Sequence, residues 1–169
     1  MPIDLPESVL PLFRAAGWPS LTEKSSEDTV PTDHPAASIL LELNGLAVGD
    51  CGAGDECARS DIVFGRDERL EQDDVVLEWQ SLLATTLICV GEVHHFHGAL
   101  FMDSSGACYQ SSLIHEAFSF EGASFGVAVE RILLGRKGQP MLRPNQLSVS
   151  MYGKTITKSH PSIYRYGPP

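Results

Sequence analysis

The stretch from Leu87 to Gly135 leaves the chain few ways to fold. Leu87–Val90 is a short apolar run bounded by Gly91, the pattern of a buried strand. Ala99–Asp103 and Ala107–Gln110 read as two further strands split by Ser104-Ser105-Gly106. A three-residue loop ending in Gly suits a hairpin, because Gly accepts the left-handed conformation needed there. The segment then changes period. Ser124 is a good N-cap, and Phe125, Ala128, Val129, Ile132 and Leu133 fall on one helical stripe, with Glu130 and Arg131 off it. Gly135 supplies the helix stop, and Arg136 and Lys137 suit the negative end of the helix dipole. A helix packing its stripe onto a hairpin predicts an α+β fold: a single domain with a mainly antiparallel sheet and helices on one side.

The rest of the chain fits that frame. Ser8 is placed to cap a first helix running to Ala16, with Leu10, Phe13 and Ala16 on its inner face and Trp18 as a core anchor. Pro19 to Asp33 is polar and irregular. Pro35 suits the first position of a second helix, whose apolar face is Ala36, Ile39, Leu40 and Leu43. Asn44-Gly45 stops it, and Leu46-Ala47-Val48 and Ile62-Val63-Phe64 read as strands around a Gly-rich loop, Cys51–Cys57. Asp73 or Asp74 caps a third helix carrying Val75, Trp79, Leu82 and Leu83. Five prolines break the segment after Gly135, which has too few apolar residues for a core of its own. The expected division is residues 1–135 as the domain and 136–169 as a basic extension.

Charge narrows the function. The net charge is −10, and every Asp and Glu lies at or before Glu130, whereas six of the twelve Lys and Arg follow Gly135. An acidic body repels nucleic acid and anionic lipid and attracts basic proteins. The candidate contact patches are Asp50, Asp55 and Glu56 in the Gly-rich loop and Glu71, Asp73 and Asp74 before the third helix, with apolar contacts around Phe96 or Phe118. No run approaches the ~20 apolar residues of a membrane span. Met1-Pro2-Ile3-Asp4 lacks the basic and apolar segments of a signal peptide, so the expected compartment is the cytoplasm and the four cysteines are expected as free thiols.

Catalytic and cofactor motifs are missing. His94-His95-Phe96-His97 is the strongest metal candidate, since His95 and His97 would share one face of a strand. The further donors His115, Cys89 and Glu92 stand at no recognised ligand spacing. Cys51 and Cys57 are separated by five residues, outside the usual thiolate-pair spacing. The glycines from Gly49 to Gly54 match neither a P-loop nor a dinucleotide fingerprint, and no nucleophile elbow occurs. Glu116 beside His115 is the nearest acid–base pair, and neighbours on a strand point to opposite faces. The expectation is no catalytic residue, no cofactor and no metal.

Several short motifs, taken in order, resemble a known family. They are Val90-Gly91, Asp103-Ser104-Ser105-Gly106 running into Tyr109, Glu121-Gly122-Ala123-Ser124, and Ala128 to Gly135. Together they resemble the C-terminal half of the SUKH superfamily, and most of all its third group, whose members resemble immunity proteins of bacterial toxin systems. Arg14-Ala15-Ala16-Gly17-Trp18 resembles the family's opening motif, and Ala36–Leu43 followed by Asn44-Gly45-Leu46 its helix-then-Gly-Leu motif. Pro19-Ser20-Leu21 departs from the family, which usually carries an Arg and a further helix there. The resemblance implies a SUKH-like α+β fold over roughly Leu10 to Gly135. It also implies a non-catalytic protein that occludes the active site of a cognate toxin, with a nuclease best suited to an acidic inhibitor. Two alternatives stay open: a regulatory scaffold of the same fold, and a metal-dependent enzyme using His94, His95 and His97.

Overall fold

The computed structural model describes residues 3–20 and 30–167. The N-terminal part holds α1 (Leu10–Ala15), α2 (Ala36–Leu43), β1 (Ala47–Val48), β2 (Gly52–Ala53), β3 (Ala58–Arg59), β4 (Ile62–Phe64), α3 (Glu68–Glu71) and α4 (Asp74–Leu83). Then come β5 (Ile88–Val93), β6 (Gly98–Met102), β7 (Cys108–Ser112), β8 (Phe118–Gly122) and α5 (Phe125–Leu134). The chain closes with β9 (Gln139–Met141), β10 (Ser148–Met151) and β11 (Lys154–Thr157). Seven strands form one antiparallel sheet in the order β1-β4-β5-β6-β7-β8-β9, while β2–β3 and β10–β11 are separate hairpins.

The central hairpin forms as its sequence predicts. β6 and β7 pair from Gly98↔Ser112 to Met102↔Cys108, and Gly106 takes the left-handed conformation in the connection (φ 93°). Side chains alternate along a strand, and here each set finds a helix. Leu100 and Met102 join the cluster containing Val129, Ile132 and Leu133 of α5 together with Ile39 and Leu43 of α2. Ala99 and Phe101 point the other way, into a second cluster with Val76 and Trp79 of α4. Every residue of β6 is therefore buried. The expectation of helices on one side holds for α1, α2 and α5, and α4 takes the opposite face.

α5 begins at Ser124, whose side chain accepts the Val127 N–H, and ends with Gly135 in the left-handed conformation (φ 68°). Its stripe Phe125, Ala128, Val129, Ile132 and Leu133 is buried as expected. Other boundaries move. Ser8 does not cap α1; Val9 holds that position, and the Ser8 hydroxyl bonds Glu130 on α5 instead. Pro35 is the N-cap of α2, one position earlier than expected, and the His34 ring takes up the Ala36 N–H at 3.1 Å. β5 runs through Gly91, where an added Cβ would lie 2.9 Å from the Val63 carbonyl, so the glycine marks close strand approach and not a strand end. β8 and α3 are additions to the sequence reading.

Residue 135 is not a structural boundary. β9 pairs with β8, with Phe118 opposite Met141 and Phe120 opposite Gln139. Tyr164 stacks on Phe120 (4.1 Å between centroids), and Tyr166 meets the edge of Trp79 (5.3 Å), which itself stacks on Phe118 (4.8 Å). The C-terminal segment thus completes the α4 face of the core. Of the irregular stretch 19–33, residues 21–29 lie outside the described residues.

Candidate functional site

The four-residue connection between β5 and β6 is His94–His97. It is a turn and not a strand, which corrects the expected pairing of His95 with His97 on one face. His94, His95 and Phe96 all adopt positive φ (54°, 52° and 66°). Left-handed backbone costs a non-glycine residue roughly 1–2 kcal/mol, so three in succession need an external hold. Asp61, just ahead of β4, supplies it: its carbonyl accepts the His94 N–H and its Oδ1 the His95 N–H, both at 3.1 Å. The His97 carbonyl in turn accepts the Leu113 N–H at 2.8 Å, tying the turn to the β7–β8 loop.

Side chains converge on the same carboxylate. The Cys51 thiol donates to Asp61 Oδ1 at 3.1 Å, and His95 Nδ1 lies 3.6 Å from Asp61 Oδ2. His94 Nδ1 lies 3.6 Å from Cys51 Sγ and 3.2 Å from the Ser60 hydroxyl. One ligand atom from each of Cys51, Asp61 and His95 falls within 4.8 Å of the other two, the one such group of three among the described residues. His115, Cys89 and Glu92 are not part of it; Cys89 is buried under α4. Cys51, His94 and Asp61 have the donor types of a nucleophilic triad, but the electrostatics oppose that role. Burial pushes the Cys51 thiol up, and the Asp61 carboxylate adds to the shift. Burial acts to raise the Asp61 pKa too, yet the bonds from Cys51 and His95 outweigh it and hold the carboxyl below its ordinary value. Reactive cysteines need the opposite, an electropositive setting.

The hairpin carrying Cys51 is firmly seated, not a flexible loop. The last turn of α5 leaves carbonyls without intrahelical partners. Those of Leu134 and Gly135 accept N–H groups from Asp55, Glu56 and Cys57 at 2.8–2.9 Å, and that of Ile132 accepts Ser60 N–H at 3.1 Å. Gly54 and Gly135 meet backbone to backbone: a Cβ on Gly54 would lie 2.6 Å from Gly135 Cα and 2.3 Å from the Cys57 carbonyl.

The acidic candidates are mostly engaged within the fold. Asp50 pairs with Arg59 (2.7 Å), and Asp55 with Arg136 (3.1 Å). Glu56 accepts the Lys137 N–H at 2.8 Å. Glu71 is buried, holds Arg66 through two 2.9 Å bonds and accepts the Cys89 N–H, so it is a structural residue and not a contact residue. Asp73 is exposed but caps α4 through the Val75 N–H, whereas Asp74 is exposed in the first turn of that helix. Phe118 is buried in the stack under Trp79, which removes it as a surface contact.

Phe96 is exposed, and it is not alone. Phe96 (57 % exposed), Leu113 (47 %) and Ile114 (60 %) lie on two turns joined by the Leu113–His97 bond. The second turn borders a cleft of 240 Å³ that also includes Asp73 and Glu116. Leu113-Ile114 is an apolar pair inside a Ser-, His- and Glu-rich stretch, a signal the sequence reading passed over. The Cys51–Asp61–His95 group had no such signal, because only the pairing of β4 with β5 brings Asp61 beside the histidine turn. The chain matches no known family model, no curated protein and no solved structure.

Proposed function

We propose that the chain is a non-catalytic immunity protein that binds a basic bacterial toxin, a nuclease being the best-suited class, and neutralises it by covering its active-site region. The observation that carries this reading is the exposed apolar trio Phe96, Leu113 and Ile114 on two hydrogen-bonded turns, with Leu113 and Ile114 lining a cleft that reaches Asp73 at the cap of α4. Monomeric surfaces expose single apolar residues routinely, but a grouped patch with a polar rim marks an interaction site. A chain of net charge −10 favours a basic occupant, and the division of labour follows: charge accelerates encounter and the apolar anchors slow release. The resemblance to the SUKH immunity proteins suggests a bacterial toxin as the partner, and the acidic charge favours a nuclease among toxins.

Co-expression with toxin genes from the same locus tests the proposal. Survival should require the intact trio. Phe96→Ala or Ile114→Ala should raise the off-rate by an amount worth about 1–2 kcal/mol or more, as a buried anchor does. On-rates should fall steeply with salt, because exposed charges are screened beyond about 8 Å at physiological ionic strength. Rescue with no salt dependence would keep the immunity role and discard the steering. Failure to rescue against any neighbouring toxin, with no stable complex, would favour a regulatory scaffold.

A further inference from the structure

We propose that Cys51, Asp61 and His95 form a binding site for one zinc-class divalent ion at the base of the histidine turn. The geometry is close to what such an ion requires. Metal–ligand bonds of about 2.0–2.3 Å in a tetrahedral shell place neighbouring donors about 3.3–3.8 Å apart. Cys51 Sγ lies 3.1 Å from Asp61 Oδ1 and His95 Nδ1 lies 3.6 Å from the other oxygen, Oδ2, and one ligand atom from each residue falls within 4.8 Å of the other two. Small side-chain adjustments close the remaining gap. The donor set of one sulfur, one imidazole nitrogen and one carboxylate oxygen selects zinc, cobalt or a similar transition metal over calcium or magnesium, which take oxygen shells.

The backbone prepares the site. Cys51 stands beside the hairpin seated on the end of α5, Asp61 precedes β4, and His95 is held by its own N–H on the Asp61 carboxylate. Three left-handed residues in a row, none of them glycine, is the kind of local strain that surrounding structure maintains at functional positions. On binding, the Cys51 S–H bond breaks, its proton passes to solvent and the sulfur–metal bond forms. Thiolate and carboxylate then neutralise the dication. Water would fill the fourth position; His94 Nδ1 lies 3.6 Å from Cys51 Sγ but is not part of the group of three. The ion would tie three chain segments together at the turn that carries Phe96.

This site stands or falls independently of the docking reading, since its test uses no toxin. The full-length chain, stripped with a chelator and kept reduced, is titrated with cobalt and then with zinc. One equivalent of cobalt should give a thiolate-to-cobalt charge-transfer band in the near ultraviolet, and one equivalent of zinc should bleach it. The thermal midpoint should rise with added zinc. Cys51→Ala and His95→Ala should abolish the band and weaken zinc by more than the 10–100-fold that loss of an outer-shell partner costs. Cys57→Ala and His115→Ala should leave both unchanged. Should Cys51→Ala fail to fold, the His95 variant decides, because that side chain is 67 % exposed. A folded wild-type chain with no cobalt band overturns the proposal. So does a band that survives His95→Ala, or one that disappears with Cys57→Ala.

Discussion

Removing the Glu71 carboxylate would take two bonds from the shielded Arg66 guanidinium, which Glu68 also reaches at 3.1 Å. Glu71 and Arg66 meet in two parallel bonds, and both side chains are largely shielded. Glu71→Ala should be destabilising, by less than the roughly 3–5 kcal/mol of a buried charge left alone, since Glu68 still reaches Arg66; denaturant midpoints read the loss. A loss below about 1 kcal/mol would place the pair with exposed salt bridges. In the sequence Glu71 stands in an acidic run and looks like its neighbours; only the approach of α3 to the β5 backbone distinguishes it. Glu121 offers a test in pH. Burial raises its pKa above the ordinary 4.5, and the Ser119 hydroxyl (2.6 Å) and Arg131 pull it back in part. The folded state therefore holds the proton to higher pH than the unfolded state does. Stability is greatest below the ordinary value and falls as pH rises from there through the raised one. Glu121→Gln keeps an acceptor for Ser119 and removes the ionisation, so it should flatten that fall and be the more stable form at neutral pH. A variant less stable than the parent at pH 7 with an unchanged pH slope would refute this.

Among the elements, α5 was the most legible, because cap, stripe and stop agree with one another. Ile132→Ala should cost about 2–5 kcal/mol, the range for a core aliphatic; a change within about 0.5 kcal/mol would mark a surface site. The β6–β7 hairpin was equally plain, since its turn chemistry and apolar runs coincide. β8 was hidden for a physical reason. Phe118-Ser119-Phe120-Glu121 alternates like a half-exposed strand, yet Ser119 and Glu121 are buried as a hydrogen-bonded pair. α3 has four residues, too few to show a period. The cap of α4 changes how the docking charges should be probed. Asp73→Lys removes the acceptor for Val75 N–H and should cost about 0.5–2 kcal/mol, whereas Asp74→Lys leaves the cap in place. Comparing their on-rates with their unfolding midpoints separates steering from stability.

For the molecule as a whole, the division of charge along the chain becomes contact in three dimensions. Arg136 reaches Asp55 and Glu130, and Arg143 bridges Glu78 and Glu116. The sequence shows an acidic body and a basic tail but not this closure, because prolines scatter the tail's apolar residues over short segments. Met141, Tyr164 and Tyr166 finish a core that others began, and Leu142, Val149, Ile156 and Ile163 form a small buried cluster within the tail itself, which corrects the expectation that the tail has too few apolar residues for one. A chain ending at Lys137 should expose Trp79, Phe118 and Phe120, bind a hydrophobic dye and lose cooperative unfolding. A sharp transition without dye binding would restore the boundary at 135. No helix among the described residues is long and apolar enough to cross a membrane.

The seat that Gly135 offers Gly54 also sets an order of events during synthesis. Asp55 and its partner Arg136 are 81 residues apart. When Cys51 leaves the ribosome, the surface its hairpin rests on has not yet been translated. The hairpin, Asp61 and the histidine turn must wait in the nascent chain until the end of α5 emerges. Everything at that end of the molecule, whatever it binds, is therefore assembled late, and a stalled chain lacking its last quarter would display the ligands and the apolar trio without the geometry that joins them.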